Sequence, residues 1–356
     1  VYKRQASELT RFKTPWLVGT CDWIDSMKRR AIVWLCETTG KSILKLTDED
    51  YNKNGLSDLL ALEGSSYDLN IKMFNHFQNT ITGWPGGKPG ADDSTRPERK
   101  SPKSKRVIIF SPHPDDDVVS MGGTFDRLVS QGHEVHIAYQ VKGNIAVSDH
   151  DALKFIEVSK DLFKNESKVP VSELIKELKN NKPDKIDSQA VRNLKGFIRK
   201  SEAIAATRYI GIPDSNTHFL NLPFYDTGRI KKNPPTKKDV LITASLINKI
   251  KPHQIFAAGD LEDPHGTHKV CLDIILEALE TLKGEKFMKD CWLWLYRGAW
   301  LDWDIHDIDM AVPMSPAQVL RKRKAIFFHQ TQKDGVMFQG QDLREFWVRA
   351  EERNSE

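Results

Sequence analysis

After residue 105 the chain alternates between short apolar segments and longer segments with helical periodicity. Residues 106–110 and 134–141 are rich in Val and Ile, which predicts two strands. Residues 118–130 between them predict a helix that ends at Gly132. A strand, a helix and a second strand in this order form a βαβ unit, so the pattern predicts a parallel sheet.

The same alternation continues through the second half of the chain. It predicts helices at 238–250 and 268–282 and strands at 254–258 and 292–296. Residues 150–200 are charged and favour helix, with a break at 180–183, and we expect them to form a surface insertion beside the sheet. The predicted fold class is therefore α/β, with a Rossmann-like, mostly parallel sheet flanked by helices.

The first 105 residues have a different character. Helical patterns occupy residues 21–35 and 57–81, where tryptophans supply apolar bulk. Residues 83–105 are dense in Gly, Pro, Ser and charge, which is typical of a linker. We expect a small, mainly helical region at 1–82, a linker at 83–105 and the main domain at 106–356.

The composition excludes several classes of protein. The 356 residues are 39% hydrophobic and 29% charged, and no apolar run approaches the roughly 18 residues that cross a bilayer. A net charge of +4 indicates neither a nucleic acid nor a membrane partner. The four cysteines are scattered without CxxC spacing, and no signal-peptide core follows Val1, so we expect reduced thiols and a cytoplasmic location.

Two histidine-containing motifs each follow a predicted strand. Ser111-Pro-His-Pro-Asp-Asp-Asp117 comes after 106–110, and Gly259-Asp-Leu-Glu-Asp-Pro-His-Gly-Thr-His268 comes after 254–258. Loops at the carboxyl ends of parallel strands converge, and neighbouring carboxylates repel one another unless a cation compensates them. A catalytic zinc takes three protein ligands and leaves its fourth position to water. The motifs therefore predict a site for Zn²⁺, or another divalent cation such as Fe²⁺, formed by His113, Asp116 and His268.

Each motif also has an ordinary structural explanation. The aspartates at 115–117 can cap and charge the N-terminus of the following helix. His265 and His268 can be polar residues at a helix start. The position of both motifs at predicted strand ends favours a shared metal site over two unrelated helix starts.

Residues from about 104 to 333 resemble the LmbE/PIG-L family of metal-dependent N-acetylglucosamine deacetylases. The marks of that family are a strand followed by HPDDE and a later PHxDH-like pair, which correspond here to residues 113–117 and 263–268. The resemblance implies an LmbE-like fold and the hydrolysis of an acetamide. The roles that it implies are metal binding by His113, Asp116 and His268, general base catalysis by Asp115, and stabilisation of the oxyanion by His265.

The chain departs from the family at two positions. Asp117 stands where glutamate is usual, and Thr267 stands where an aspartate is common before the last histidine. Neither departure removes an implied ligand. A shorter side chain at Asp117 can alter the hydrogen bonds that orient the ligands, which affects metal affinity and rate.

Residues 1–90 carry a second resemblance. The segments Thr14-Pro-Trp-Leu-Val-Gly, Ile43-Leu-Lys-Leu-Thr and Thr82-Gly-Trp-Pro-Gly-Gly-Lys-Pro look like the connection between the halves of bacterial fusion proteins. Those proteins join a glucosamine-6-phosphate deaminase-like domain to an LmbE-like domain. The resemblance implies an upstream deaminase-like domain as a partner, and the catalytic body of that deaminase is not expected in this chain.

Three functions follow as hypotheses. The first is a metal-dependent deacetylase that acts on an N-acetylated amino sugar, such as N-acetylglucosamine, its phosphate or a conjugate. The second is a metallophosphoesterase, which usually needs a binuclear site and more ligands than these motifs supply. The third is a non-catalytic sugar-binding or regulatory half of a fused deaminase-like protein.

Residues that contact the substrate are harder to identify from the sequence. Asn144 follows the second strand and is either a sugar contact or part of an ordinary turn. The basic run 321–324 on a predicted helix at 315–332 is either a solvated face or an attractor for a phosphorylated sugar. Trp292 and Trp294 lie on a predicted strand, which favours core packing over stacking on a sugar ring.

Overall fold

The structure is a computed structural model in which the described residues fall into two compact units. The described ranges are 23–80, 104–162, 171–180, 186–227, 229, 231–298, 300–333 and 344–352. One unit consists of 23–80 together with 303–313, and the other consists of the remaining described residues. The first 22 residues and most of the predicted linker at 83–105 lie outside the described residues. The division into 1–82, 83–105 and 106–356 stays a prediction.

The first unit is helical, as the sequence predicted. Its helices are α1 (Asp25–Thr39), α2 (Asp48–Lys53), α3 (Ser57–Glu63) and α4 (Ser66–Thr80). They enclose a small core that includes Ile32, Leu35, Tyr51 and Leu59. The single helix predicted at 57–81 is two helices, because Gly64 ends α3 with a φ of +99° and Ser65 then accepts a hydrogen bond from the N–H of Asp68.

The second unit contains a five-stranded parallel sheet in the order β3-β2-β1-β4-β5. The strands are β1 (Arg106–Ser111), β2 (Glu134–Tyr139), β3 (Thr217–Phe219), β4 (Gln254–Ala258) and β5 (Trp292–Tyr296). Every residue of β1 after Arg106 is buried. Successive side chains of a strand point to opposite faces, so the apolar run of β1 is explained by a central strand that is covered on both sides.

Helices cover both faces of this sheet. They are α5 (Asp116–Ser130), α6 (Asp149–Leu162), α7 (Val171–Lys179), α8 (Gln189–Ile210), α9 (Lys237–Ile250), α10 (Thr267–Leu282), α11 (Pro316–Phe327) and α12 (Phe346–Glu352). Ile108 and Phe110 share one core cluster with α9 and α10, while α5 contacts β1 and β2. The predicted α/β class, with its parallel sheet and flanking helices, is confirmed.

Two details differ from the sequence prediction. The strand β3 was not predicted, since three residues are too few to give a periodic signal. Residues 150–200 were predicted as a surface insertion, but α8 places Arg199 and Glu202 in the interior, where they are 1% and 5% exposed. This helix is therefore part of the body of the domain. Within the described residues, no helix is long and apolar enough to cross a membrane.

Candidate metal centre

The first motif forms a tight turn between β1 and α5. β1 ends at Ser111, and Asp116 is the first residue of α5. The backbone N–H of His113 donates to Asp116 Oδ2 at 2.8 Å, and His113 Nδ1 lies 3.2 Å from the same oxygen. The turn therefore fixes an imidazole and a carboxylate side by side, at the carboxyl end of the central strand.

The second motif brings His268 to the same carboxylate. His268 lies in the first turn of α10, after β4, and its Nε2 is 3.2 Å from Asp116 Oδ2. The ring centroids of His113 and His268 are 5.3 Å apart. One donor atom from each of the three residues lies within 4.8 Å of the other two. The structure thus brings together the three residues that the sequence predicted as ligands.

His268 is held in one orientation by its surroundings. Its Nδ1 lies 2.8 Å from the carbonyl oxygen of Asp260, and a carbonyl can only accept, so Nδ1 carries the proton of the neutral ring. The Asp263 carboxylate accepts from the backbone N–H groups of Thr267 and His268 at 2.8 and 3.1 Å. These contacts anchor the helix start and direct Nε2 of His268 toward Asp116, as the outer contacts of a metal-binding histidine do.

The donor set fits a cation. Nε2 of His268 lies 3.2 Å from Asp116 Oδ2, yet it has no hydrogen-bond partner of good geometry among the described residues. Burial lowers the pKa of His268, but the Asp116 carboxylate outweighs this and raises the pKa to about 9. Burial likewise works to raise the pKa of Asp116, and the two imidazoles hold it well below its usual range. The raised pKa of His268 and the lowered pKa of Asp116 both favour positive charge between these two buried side chains, and a divalent metal can supply that charge in place of a proton.

Asp115 is next to Asp116 in sequence, but its carboxylate bonds to Arg199 and not to the two histidines. Arg199 Nη2 on α8 donates to Asp115 Oδ1 at 2.9 Å, and the two side chains are only 1% and 8% exposed. Burial raises the pKa of Asp115, while the guanidinium of Arg199 opposes that rise. Asp115 occupies the N-cap position of α5, yet its side chain makes no capping hydrogen bond. The helix-capping explanation of the first motif therefore does not account for Asp115.

Asp117 lies underneath the turn and is fully buried. Its carboxylate accepts from the hydroxyls of Ser111 at 3.2 Å and Tyr139 at 3.0 Å. Burial raises the pKa of Asp117 to about 7, although the Tyr139 hydroxyl lowers it. Asp117, which stands at the position of the expected glutamate, thus connects the motif by hydrogen bonds to the last residues of β1 and β2.

His265 is half-buried in the turn before α10. Burial lowers the pKa of its imidazole, and the charge of His113 contributes to the same shift. A neutral imidazole carries one N–H that can donate a hydrogen bond. His265 is thus suited to donate to a substrate oxygen near neutral pH.

The structure adds two residues that the sequence analysis did not select. Arg199 has buried Nε and Nη1 atoms that lack a hydrogen-bond partner among the described residues. Glu202, one helical turn later, accepts from the N–H and the hydroxyl of Thr331 at 2.9 and 2.8 Å. A signal was present in the sequence, because both charged residues share a face of α8 with the buried Ile198, Ala203 and Ala206.

The basic residues 321–323 on α11 already form ion pairs or hydrogen bonds within the protein. Arg321 pairs with Asp126, and Arg323 pairs with Glu351. Lys322 is buried, and its Nζ donates to the carbonyl of Ala350 at 3.2 Å. The charges of these residues therefore serve packing within the second unit, which does not support the use of the run to attract a phosphorylated sugar.

The other candidate substrate contacts remain hypotheses. Asn144 is 3% exposed in a short turn after β2, which indicates a structural role for its side chain. Trp292 is 45% exposed and Trp294 is half-buried on the edge strand β5. Residues two apart lie on the same face of a strand, so the exposure of Trp292 does not agree with the core packing that the strand pattern favoured.

Gly143 lies in the turn after β2, close to Pro114 and Arg199. It has a φ of +63°, and an added Cβ would lie 2.9 Å from Pro114 Cδ and 3.2 Å from Arg199 Nε. We expect Gly143→Ala to lower the free energy of unfolding by about 2–4 kcal/mol, because it combines left-handed backbone strain with overpacking. Gly132→Ala is the matched control: its φ is +78°, but nothing lies within 4 Å of the added Cβ.

Urea denaturation of the wild type and both variants measures the loss in free energy of unfolding that each substitution causes. The control isolates the backbone strain, for which about 1–2 kcal/mol is expected. Equal losses in the two variants would show that the contacts with Pro114 and Arg199 impose no packing constraint at Gly143.

A parallel α/β domain with two histidines and a carboxylate at the carboxyl ends of adjacent strands defines a class of candidate metal-dependent enzymes. Residues 108–279 match the family described as "PIG-L: GlcNAc-PI de-N-acetylase". These residues carry a PIG-L (LmbE-like) domain, as the resemblance in the sequence implied.

A relative from Bacteroides thetaiotaomicron is described as "Putative glucosamine-6-phosphate deaminase-like protein". It is 55% identical over 355 residues, which are 97% of this chain and 54% of the relative. The chain thus spans about half the length of that protein. The identity extends over almost the whole chain, including the first unit.

Two solved structures are similar to this chain at low sequence identity. The N,N'-diacetylchitobiose deacetylase of Pyrococcus horikoshii is 18% identical with a TM-score of 0.40, covering 64% of this chain and 71% of that chain. GalB, the 4-carboxy-2-hydroxymuconate hydratase of Pseudomonas putida, is 14% identical with a TM-score of 0.39, covering 70% and 83%.

Proposed function

We propose that this chain is a metal-dependent hydrolase that removes the acetyl group from an N-acetylated amino sugar. The observation that carries the proposal is the convergence of His113, Asp116 and His268 beside Asp115, whose carboxylate bonds to Arg199. This arrangement lies within the residues that match a de-N-acetylase family.

The metal is proposed to be Zn²⁺, with Fe²⁺ as a chemically similar alternative. Two imidazoles and one carboxylate are ligands that both cations accept. A bound divalent cation supplies a Lewis acid for the acyl carbonyl and a water whose pKa is lowered toward about 7. Among the described residues of the second unit there is one such cluster, which favours a mononuclear hydrolase over a binuclear phosphoesterase.

Asp115 is proposed as the group that moves the proton. Its carboxylate lies next to the ligand Asp116 in sequence and takes a proton from the attacking water. It then delivers that proton to the amine as the C–N bond breaks, so water and the amide give acetate and a free amine. Burial raises the pKa of Asp115 above its usual range, which favours release of the proton that the carboxylate has accepted.

His265 and Arg199 are proposed to assist from opposite sides. His265 donates its N–H to the oxygen that becomes negative in the tetrahedral intermediate. Arg199 opposes the rise in pKa that burial imposes on Asp115 and fixes the position of one carboxylate oxygen. Arg199 is thus a positioning residue, because it acts through Asp115.

The cellular setting is part of the same proposal. The described cysteines Cys36, Cys271 and Cys291 are free thiols, which supports a cytoplasmic location. The name of the Bacteroides relative supports an upstream deaminase-like domain as a partner in a longer protein. The amino sugar is the proposed substrate, and neither a nucleic acid nor a membrane is a proposed partner.

Acetate release by the zinc-loaded protein tests the function. N-Acetylglucosamine and its 6-phosphate are supplied as substrates, and the primary amine formed is assayed. We expect turnover that His113→Ala abolishes, because this variant lacks one of the three ligands. The control is His150→Ala, which changes an exposed histidine on α6 and should keep the wild-type rate.

The alternative functions predict different results. Equal rates in the wild type and in His113→Ala would contradict metal-dependent hydrolysis by this site. Sugar binding by the wild type without any release of acetate would instead support the non-catalytic, regulatory function. Two tightly bound ions per chain would favour the phosphoesterase.

A further inference from the structure

Lys232 lies beside the candidate metal centre and was not singled out by either motif. Its Nζ is 3.8 Å from the centroid of the Tyr225 ring. Tyr225 in turn packs edge-on against His113, with ring centroids 6.2 Å apart and an interplanar angle of 71°. A single aromatic ring therefore separates the ammonium group of Lys232 from the imidazole of a proposed metal ligand.

The loop that carries Lys232 is held in place at both ends. The backbone N–H of Phe224 donates to Asp239 on α9 at 3.0 Å. The backbone N–H of Asn233 donates back to the carbonyl of Phe224 at 3.1 Å. Tyr225 itself is only 5% exposed. These contacts place Lys232 against a buried ring rather than on a free loop tip.

The ammonium of Lys232 has few partners. Its Nζ donates to the carbonyl of Arg229 at 2.7 Å, and it forms no ion pair in the described part of the chain. The carboxylate of Asp226 in the same loop is instead contacted by Lys142 at 3.3 Å and Arg192 at 3.7 Å. An ammonium has three N–H donors, so donors remain for an incoming group.

The electrostatic setting favours an anion at this position. Burial lowers the pKa of Lys232 to about 8, and the charge of Asp226 offsets this only in part. The positive charge of Lys232 is also one of the causes that lower the pKa of His265. A partly desolvated cation without a contacting carboxylate gains more from a bound anion than a solvated lysine does.

We propose that Lys232, packed on Tyr225, binds a phosphate group of the substrate, so that the substrate class is a phosphorylated N-acetyl amino sugar. The inference rests on the proposed deacetylase function. A pyranose ring has about the width of the Tyr225 ring, so a sugar whose acetamide lies at His113 can place a phosphate at the Lys232 ammonium. The phosphate is on the anomeric oxygen or on the 6-oxygen, and both have the same chemistry toward an ammonium.

Kinetic selectivity tests this inference with the zinc-loaded protein. The substrates are N-acetylglucosamine, its 1-phosphate and its 6-phosphate, and the variants are Lys232→Met and, as a matched control, Lys231→Met. Methionine keeps an unbranched side chain that can cover Tyr225 but removes the charge. Lys231 is an exposed neighbour of similar chemistry, so its replacement should leave kcat/KM for all three substrates unchanged.

We expect the wild type to prefer one of the phosphates. Lys232→Met should lower this preference in kcat/KM about 10- to 100-fold, the range of a charge-assisted hydrogen bond. The ester with the larger loss identifies the position of the phosphate. A wild type without preference for either phosphate, or a preference that Lys232→Met retains, would overturn the inference.

Binding of the deacetylated sugars separates this inference from the proposed function. Glucosamine, glucosamine 1-phosphate and glucosamine 6-phosphate are titrated into the wild type and both variants by calorimetry. Tighter binding of one phosphate, lost in Lys232→Met and kept in Lys231→Met, supports the phosphate site even if no acetate is released from any substrate. Equal affinities in the wild type and in Lys232→Met count against Lys232, whatever the turnover assay shows.

Discussion

Replacement of Asp115 by asparagine is expected to lower kcat for acetate release about 10²- to 10⁴-fold, the usual contribution of a positioned acid or base. Asparagine keeps the size of the side chain and can still accept from Arg199 Nη2, but it cannot take a proton from water. The three proposed ligands are unchanged, so the zinc content should remain that of the wild type. Steady-state kinetics and metal analysis of the same preparation give the two measurements.

Asp126→Asn provides the control for this prediction. Asp126 lies on α5 as well, is 7% exposed against 6% for Asp115, and pairs with an arginine, Arg321. It touches none of the proposed ligands, so its replacement should keep the wild-type rate. A loss of zinc in Asp115→Asn would show that Asp115 belongs to the metal site, and a rate close to wild type would remove Asp115 from the proposed mechanism.

The sequence was sufficient to predict the elements that carry the metal centre. β1, α5, β4 and α10 each have a local signal, either a run of β-branched residues or an apolar helical period. The ligands follow β1 and β4 directly, and adjacent parallel strands present their carboxyl ends at one edge of the sheet. A local pattern and a general rule of sheet topology were thus sufficient to predict that His113 and His268 lie close together.

The rest of the site depends on long-range contacts that a local pattern indicates only in part. Arg199 reaches Asp115 from a helix that lies 84 residues further along the chain. Residues 150–200 were predicted to favour helix, but as a surface insertion, and which charged residues of α8 turn inward depends on packing against the sheet. Lys232 is likewise placed by the loop between Tyr225 and Asp239, which has no period to interpret. The convergence of the three proposed ligands was thus predictable, whereas the positions of Arg199 and Lys232 beside them were not.

Replacement of Arg199 by methionine is expected to lower the free energy of unfolding by about 3–5 kcal/mol, because it leaves the Asp115 carboxylate buried without its partner. The double variant Arg199→Met/Asp115→Asn removes both charges and should regain at least half of that loss. Urea denaturation of the two single variants and of the double variant closes a double-mutant cycle. This cycle gives the coupling free energy between Arg199 and Asp115 directly.

An exposed ion pair made by another arginine of the same helix shows why burial decides the size of the effect. Arg208 pairs with Asp214, with side chains that are 62% and 55% exposed. Water screens such a pair, so Arg208→Met should cost much less free energy of unfolding than Arg199→Met. If Arg199→Met costs no more than Arg208→Met, the carboxylate of Asp115 does not depend on Arg199 for its charge. The proposed positioning role would then be lost, while the assignment of the metal ligands would stand, because His113, Asp116 and His268 are held by contacts of their own.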